Sequence, residues 1–326
     1  MNSKTAFKNT IKLMNSERPV FVPFVYGLAA RIGQIPLQEM VSDAGYYSHS
    51  LEEARDLFKY DGIVNHFDAT IEAEVFGCDV EWPDDYTAPR VSGCRQVELR
   101  EANPEESGRI QTLLEATKRT VMSRGRDVAI IGTITGPVSL VKALLGDNSA
   151  NTENAIAFTG GFLTKLVKSL CELRVDSIFF REDPIGAGYR DELLSHQKPY
   201  ADIYTTLFNL VKYYNGSPLL IVKDMEMDFI SDLHRSIAPG GLILLGKRFS
   251  EDDLAYLQKL SDSLKISFGL PLALKDTSEL WEQFAVISQY ASKHRPAGFF
   301  YVSDGDVPYD TSPEVLHELI AKIQNG

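Results

Sequence analysis

The chain has 326 residues, 44% of them hydrophobic, and 33 basic against 45 acidic residues give a net charge of −12. That length can bury a large core, and the acidic balance, with no Lys/Arg-rich run, excludes nucleic acid and anionic membrane as partners. Cys78, Cys94 and Cys171 are odd in number and lack CxxC spacing, so reduced thiols in a cytoplasmic protein are expected, without a disulfide framework or a Cys-rich zinc knuckle.

In chain order, short runs rich in Val, Ile, Leu and Phe alternate with longer stretches of mixed polarity. The N-terminal segment has no signal-peptide core, and no apolar run approaches a membrane span of about 18 residues. Phe7, Ile11 and Met14 recur at helical spacing within 3–15 and predict an amphipathic helix against a barrel floor. A first strand over 19–25 leads into a connection over 26–50 containing Gly27, Arg31, Gly33, Pro36 and Gly45. A loop of that length often covers a site. Ser50 and Glu53 have capping-box spacing, which predicts that a helix begins there.

A second strand is expected over 62–67, then a short helix over 68–75 and a turn-rich excursion over 77–93 suited to a hairpin. Helices are expected over 104–123, 139–145 and 158–174, around strands at 127–134 and 177–182. The remaining strands fall at 218–224, 241–246, 266–272 and 298–304, with helices over 198–213, 227–236, 251–260, 277–294 and 312–324. Apolar runs without alternation mark strands buried on both faces. Eight strand-then-helix units predict an α/β fold, a (β/α)8 TIM barrel forming one domain over 1–326.

Chemistry in such a barrel sits where the strands end. Those positions hold Tyr26; His66 and Asp68; Thr133 and Thr135; Arg181, Glu182 and Asp183; Lys223, Asp224 and Glu226; Lys247 and Arg248; Asp304 and Asp306. Strand parity puts His66 and Asp68 on one face and lets only one of Lys223 and Asp224 point inward; Asp224, which ends its run, is preferred. Converging carboxylates ligate a hard metal, bind a cation, or make one of their number hold a proton as a general acid. Any one of them also serves as a helix N-cap. Asp68, His66 and Asp304 are therefore the expected catalytic groups. Tyr26, Arg31, Arg181, Asp183 and Lys223 are expected to touch substrate, and Asp224, Glu226 and Asp304 to offer oxygen ligands to a divalent metal. Gly136-Pro137-Val138-Ser139 is either a plain turn or a set of helix N-terminal amides open to an anion. No GxSxG or HExxH pattern occurs.

Five segments in order resemble the uroporphyrinogen decarboxylase superfamily, which includes corrinoid:coenzyme M methyltransferases. They are Arg18-Pro19-Val20-Phe21; Asn65-His66-Phe67-Asp68 followed by Phe76-Gly77-Cys78; the stretch IGTITGPVSL over 131–140; Asp176-Ser177-Ile178 through Glu182-Asp183-Pro184; and Asp304-Gly305-Asp306-Val307-Pro308 with Thr311, Pro313 and Glu314. The resemblance implies the same barrel, with Asp68 on the catalytic aspartate of the decarboxylases. Other family positions differ. Only Arg31 stands near the decarboxylase arginines, the substrate tyrosine falls near Ala143, and the family histidine falls on Asp304. The His-x-Cys pair and third cysteine that hold zinc in the thiol methyltransferases fall on Val222-Lys223-Asp224 and Asp304, so no thiolate zinc site is expected.

The resemblance thus implies an enzyme that removes methyl from a small O- or N-methyl compound, with a corrinoid on a partner protein. The alternatives are a decarboxylase or lyase of a small carboxylic acid and a non-catalytic ligand-binding barrel. Family members are often homodimers, so a dimer is expected too.

Overall fold

A computed structural model describes every residue except 15, 95, 96, 98, 100, 147–150 and 326. Its strands are β1 (Phe21–Phe24), β2 (Gly62–Val64), β3 (Asp79–Glu81), β4 (Arg90–Gly93), β5 (Ala129–Thr135), β6 (Ser177–Arg181), β7 (Ser217–Lys223), β8 (Gly241–Leu245), β9 (Ser267–Leu272) and β10 (Phe299–Asp306). Among the described residues, eight of them run parallel in the order β1-β10-β9-β8-β7-β6-β5-β2. The cylinder closes where the Asp61 amide donates to the Phe21 carbonyl at 2.9 Å. All eight predicted strands are present, and β5, β6, β8 and β9 are buried along their whole length, as strands covered on both sides must be.

Charged fasteners hold the floor. Arg18 grips the fully buried Asp61, which also accepts the Phe21 amide at 3.0 Å and so ties the start of β1 to β2. Asp176 accepts the Ile130 amide at 3.1 Å and faces Lys4 and Lys8 of the helix Ser3–Ile11. That helix underlies the barrel as expected, with Phe7 edge-on to Phe300 at 6.4 Å. The charged residues of two of the resembling segments, Arg18 and Asp176, therefore serve assembly.

Three expectations need correction. The connection over 26–50 is mostly helical: Gly27–Ile32, Leu37–Met40 and the start of Ala44–Phe58. Its long helix is capped by Asp43, whose carboxylate accepts from the Gly45 and Tyr46 amides, and Ser50 lies buried mid-helix. The reciprocal capping box belongs instead to Ser250 and Asp253, ahead of Glu251–Leu264. Cys78 and Cys94 are joined by a disulfide that closes the base of the antiparallel β3–β4 hairpin, their Cα atoms 4.2 Å apart. Hairpin pairing across 16 residues brings together two thiols whose spacing carries no motif. Cys171 remains free and buried, its thiol pushed up to about 12 by burial.

The hairpin tip folds back over the barrel mouth. Leu37 donates its amide to the Asp85 carbonyl at 2.6 Å, and Tyr86 packs on Tyr309 at 5.4 Å. Gly27 accommodates this cover: a Cβ there would stand 1.9 Å from the Tyr86 carbonyl oxygen. No helix among the described residues is long and apolar enough to cross a membrane.

Candidate active site

β2 ends by passing its chain into the mouth through Asn65, His66, Phe67 and Asp68. Asn65 accepts from the Thr133 amide and hydroxyl at 2.8 and 2.9 Å, fixing this segment to β5. His66 bonds through Nε2 to the Thr133 carbonyl at 2.8 Å, so Nε2 carries the proton, and Nδ1 accepts the Asp68 amide at 3.3 Å. Burial lowers its pKa to about 4. Both ring nitrogens are committed, so His66 is a neutral brace in this structure.

Asp68 is fully buried and accepts through Oδ1 from the amide and hydroxyl of Thr70, both at 2.7 Å. Its Oδ2 accepts from Arg109, which also donates to Glu74 at 2.8 Å and to Thr70 Oγ1 at 2.9 Å. Trp82 of the hairpin lies 5.3 Å from the Arg109 guanidinium. Tyr26 and Tyr47 sit close by with ring centroids 6.3 Å apart; burial first, and the charge of Asp68 among the lesser causes, raise both hydroxyls.

Arg181 closes β6. Its side chain is 6% exposed and makes a bidentate pair with Asp183 through Nε and Nη2 at 2.9 and 2.7 Å. The guanidinium lies 3.5 Å from the ring centre of Phe67, which stacks on Phe24 at 4.5 Å. Nη1 of Arg181 is buried and meets no acceptor among the described residues. A buried donor of this kind normally has a partner.

Three further acids lie here, Glu72 and Glu182 buried and Asp306 half-buried. Asp306 accepts the amides of Tyr26 and Gly27 at 3.0 and 3.2 Å, and burial pushes its pKa up to about 7. Glu72 accepts from the amide and hydroxyl of Thr135 at 2.9 and 2.6 Å and is raised by burial. Glu182 accepts the Val138 and Ser139 amides at 3.2 and 2.7 Å and the Tyr204 hydroxyl. The amides of the Gly136-Pro137-Val138-Ser139 turn are therefore filled by the protein's own carboxylate. Gly136 permits this: a Cβ there would lie 2.1 Å from Glu182 Oε1.

The other expected residues lie outside this cluster. Asp304 is exposed on the rim, accepting the Gly246 amide at 2.7 Å with Lys223 and Asp224 close by. Asp224 has φ 54°, so strand alternation stops at that residue and both it and Lys223 are exposed. Glu226 pairs with Arg190 on the surface. Among the described residues no three His, Cys, Asp or Glu side chains converge to hold a metal ion. The expected ligand set Asp224, Glu226 and Asp304 is thus not assembled, and Asp68 is fully buried whereas Asp224 and Asp304 are exposed. Arg31 is exposed and donates to the Tyr309 carbonyl at 2.6 Å, pinning the loop after β10. Tyr26, Arg181 and Asp183 are at the mouth.

Sequence reasoning missed Arg109. A signal existed: the helix Gly108–Arg124 feeds β5, so its first turn must lie at the mouth end of the barrel.

The uroporphyrinogen decarboxylase (URO-D) family pattern matches residues 5–178, more than half of the chain. The methylcobamide:CoM methyltransferases of Methanosarcina mazei and Methanosarcina acetivorans are each 29% identical over 183 residues, 50% of this chain and 54% of theirs. The chain thus spans about half the length of these relatives. A methyltransferase structure from Methanosarcina mazei superposes with a TM-score of 0.76 over 98% of both chains at 14% identity. A B12-independent methionine synthase from Shewanella sp. does so at 0.57 over 87% of this chain and 86% of its own, at 13% identity. At such identities these superpositions establish the fold alone.

Proposed function

Because the chain belongs to the uroporphyrinogen decarboxylase family, we propose that it is a methyltransferase member that takes methyl from a small O- or N-methyl compound, the acceptor being a corrinoid on a partner protein docked over the mouth. One observation carries the choice of a small ligand. Of the two arginines at the mouth, half-buried Arg109 is held by Asp68, Glu74 and Thr70, while buried Arg181 keeps one N–H with no partner among the described residues. One donor suits one acceptor group. A porphyrinogen bearing many carboxylates needs several cations and would meet buried acids here.

The partial likeness to methylcobamide:CoM methyltransferases supports methyl transfer. A thiol-activating zinc does not fit the residues present, since Val222, Asp224 and Asp304 stand where its ligands would be and no other triad replaces them among the described residues. The reading is therefore a role on the methyl-donor side, with no step through a metal of the chain's own. Arg181 orients the donor, Phe24 and Phe67 exclude water, and the Asp68–Arg109–Glu74 chain holds the floor of the pocket in place.

The test is anaerobic incubation with cob(I)alamin and a panel of methoxy and methylammonium compounds, following the corrinoid spectrum and the demethylated product together. Matched methyl loss and corrinoid methylation is the expected result. Silence across the panel, with carbon dioxide released from a small carboxylic acid instead, would replace this reading with a carboxy-lyase.

A further inference from the structure

A cavity of about 610 Å³ lies beside the barrel floor, at the opposite end of the strands from the mouth. Small-molecule sites occupy roughly 300–1,000 Å³. It opens where β10 begins, between the helix Thr277–His294 and the end of the helix Pro313–Asn325. Strand parity builds its inner wall. Phe300 turns inward onto Phe7, so its neighbour Tyr301 faces outward, its ring 5.8 Å from that of Phe284. Ile287, Ala291 and Ile323 extend the apolar surface.

Two polar groups of this lining lack partners. The hydroxyls of Thr10, Ser16, Ser288 and Ser292 each donate to a backbone carbonyl, at 3.0, 2.7, 3.2 and 2.6 Å. The hydroxyl of Tyr301, a residue only 4% exposed, bonds to nothing among the described residues. A buried tyrosine hydroxyl normally has a partner. Burial raises it above the ordinary tyrosine value, so it stays protonated and offers a donor. Charge is unmatched as well. Glu17 pairs with the N-terminal ammonium, Arg18 with Asp61 and Lys322 with Glu318. Arg295, which follows the helix Thr277–His294, is in no ion pair among the described residues. An unfilled donor and an unmatched cation over an apolar wall ask for an anionic oxygen on an apolar body.

We infer that this cavity binds a small apolar carboxylate, its body against Phe284, Ile287 and Ile323, its carboxylate accepting from the Tyr301 hydroxyl and facing Arg295. The site is remote from the mouth and stands or falls without the methyl-transfer reading. A cationic ligand finds no counter-charge, because the one acid of the lining, Glu17, is already paired. A neutral ligand leaves Arg295 unmatched.

Calorimetric titration of the full chain with phenylbutyrate tests it, with phenylbutanol and phenylbutylammonium as neutral and cationic versions of the same body. The acid should bind at least about tenfold more tightly than either, the order expected for one charged hydrogen bond. Tyr301→Phe keeps the ring and removes only the hydroxyl; Arg295→Gln removes an exposed charge. Each should weaken the acid about tenfold and leave the near-UV circular dichroism unchanged. Should Tyr301→Phe fail to fold, Arg295→Gln and the three-probe comparison decide. Undiminished affinity for the acid in either folded variant overturns the inference, since the acid would then sit elsewhere. So does an alcohol or ammonium probe that binds as tightly as the acid, or an acid that does not bind.

Discussion

Glu182→Gln tests the electrostatics of the barrel wall. The carboxylate is fully buried between β6 and the helix Pro137–Leu145, receiving two backbone amides and the Tyr204 hydroxyl. Those bonds favour the ionised form, yet burial outweighs them and pushes the pKa from 4.5 up to about 7. In the unfolded chain the group ionises near its ordinary value. Between the two values the unfolded state has released a proton that the folded state still holds, so stability falls as pH rises through that window. At about 1.4 kcal/mol per pKa unit, this one group removes about 3 kcal/mol between pH 4.5 and about 7. The amide does not titrate. Urea unfolding across that window, followed by the fluorescence of Trp82 and Trp281, should show the variant gaining about 3 kcal/mol on the wild type as pH rises, whatever constant offset the amide adds. A difference that stays flat with pH would mean that Glu182 ionises as freely in the fold as in the unfolded chain, and the argument would be refuted.

Arg109→Met strands the buried Asp68 carboxylate and should cost about 3–5 kcal/mol in urea unfolding; adding Asp68→Asn should recover part of it, whereas strictly additive losses would show that the pair is not coupled. Gly27→Ala drives a Cβ into the Tyr86 carbonyl, so a loss of about 1–3 kcal/mol is expected, and unchanged stability would show that the hairpin tip does not rest there. Alkylation of denatured protein should label one cysteine before reduction and three after it, and reduction should lower stability by about 3 kcal/mol for a loop of this size. Nitrogen-15 NMR should find His66 as the Nε2–H tautomer and neutral down to about pH 4; titration near its ordinary value would place the ring in water.

The barrel was legible in the sequence because strands covered on both faces must be apolar at consecutive positions, and eight such runs leave few other folds. Local signals were weaker. Ser50 and Glu53 have the right spacing for a helix start, but Tyr47, Leu51, Ala54 and Phe58 bury one face of a helix already begun at Ala44, and packing overrides the poor propensity of Gly45 and its neighbours. Parity failed after β7 because it presumes extended backbone, and Asp224 is left-handed. Asp68 and Arg181 could be found as strand ends. Arg109, 41 residues from Asp68, could be found only by following the chain direction of its helix.

Two helix starts at the mouth are already occupied: Asp306 sits on Gly27–Ile32 and Glu182 on Pro137–Leu145. In many barrels such amide clusters are what seize phosphoryl groups. Here each is stoppered from within, so neither set of amides is open to a phosphoryl group.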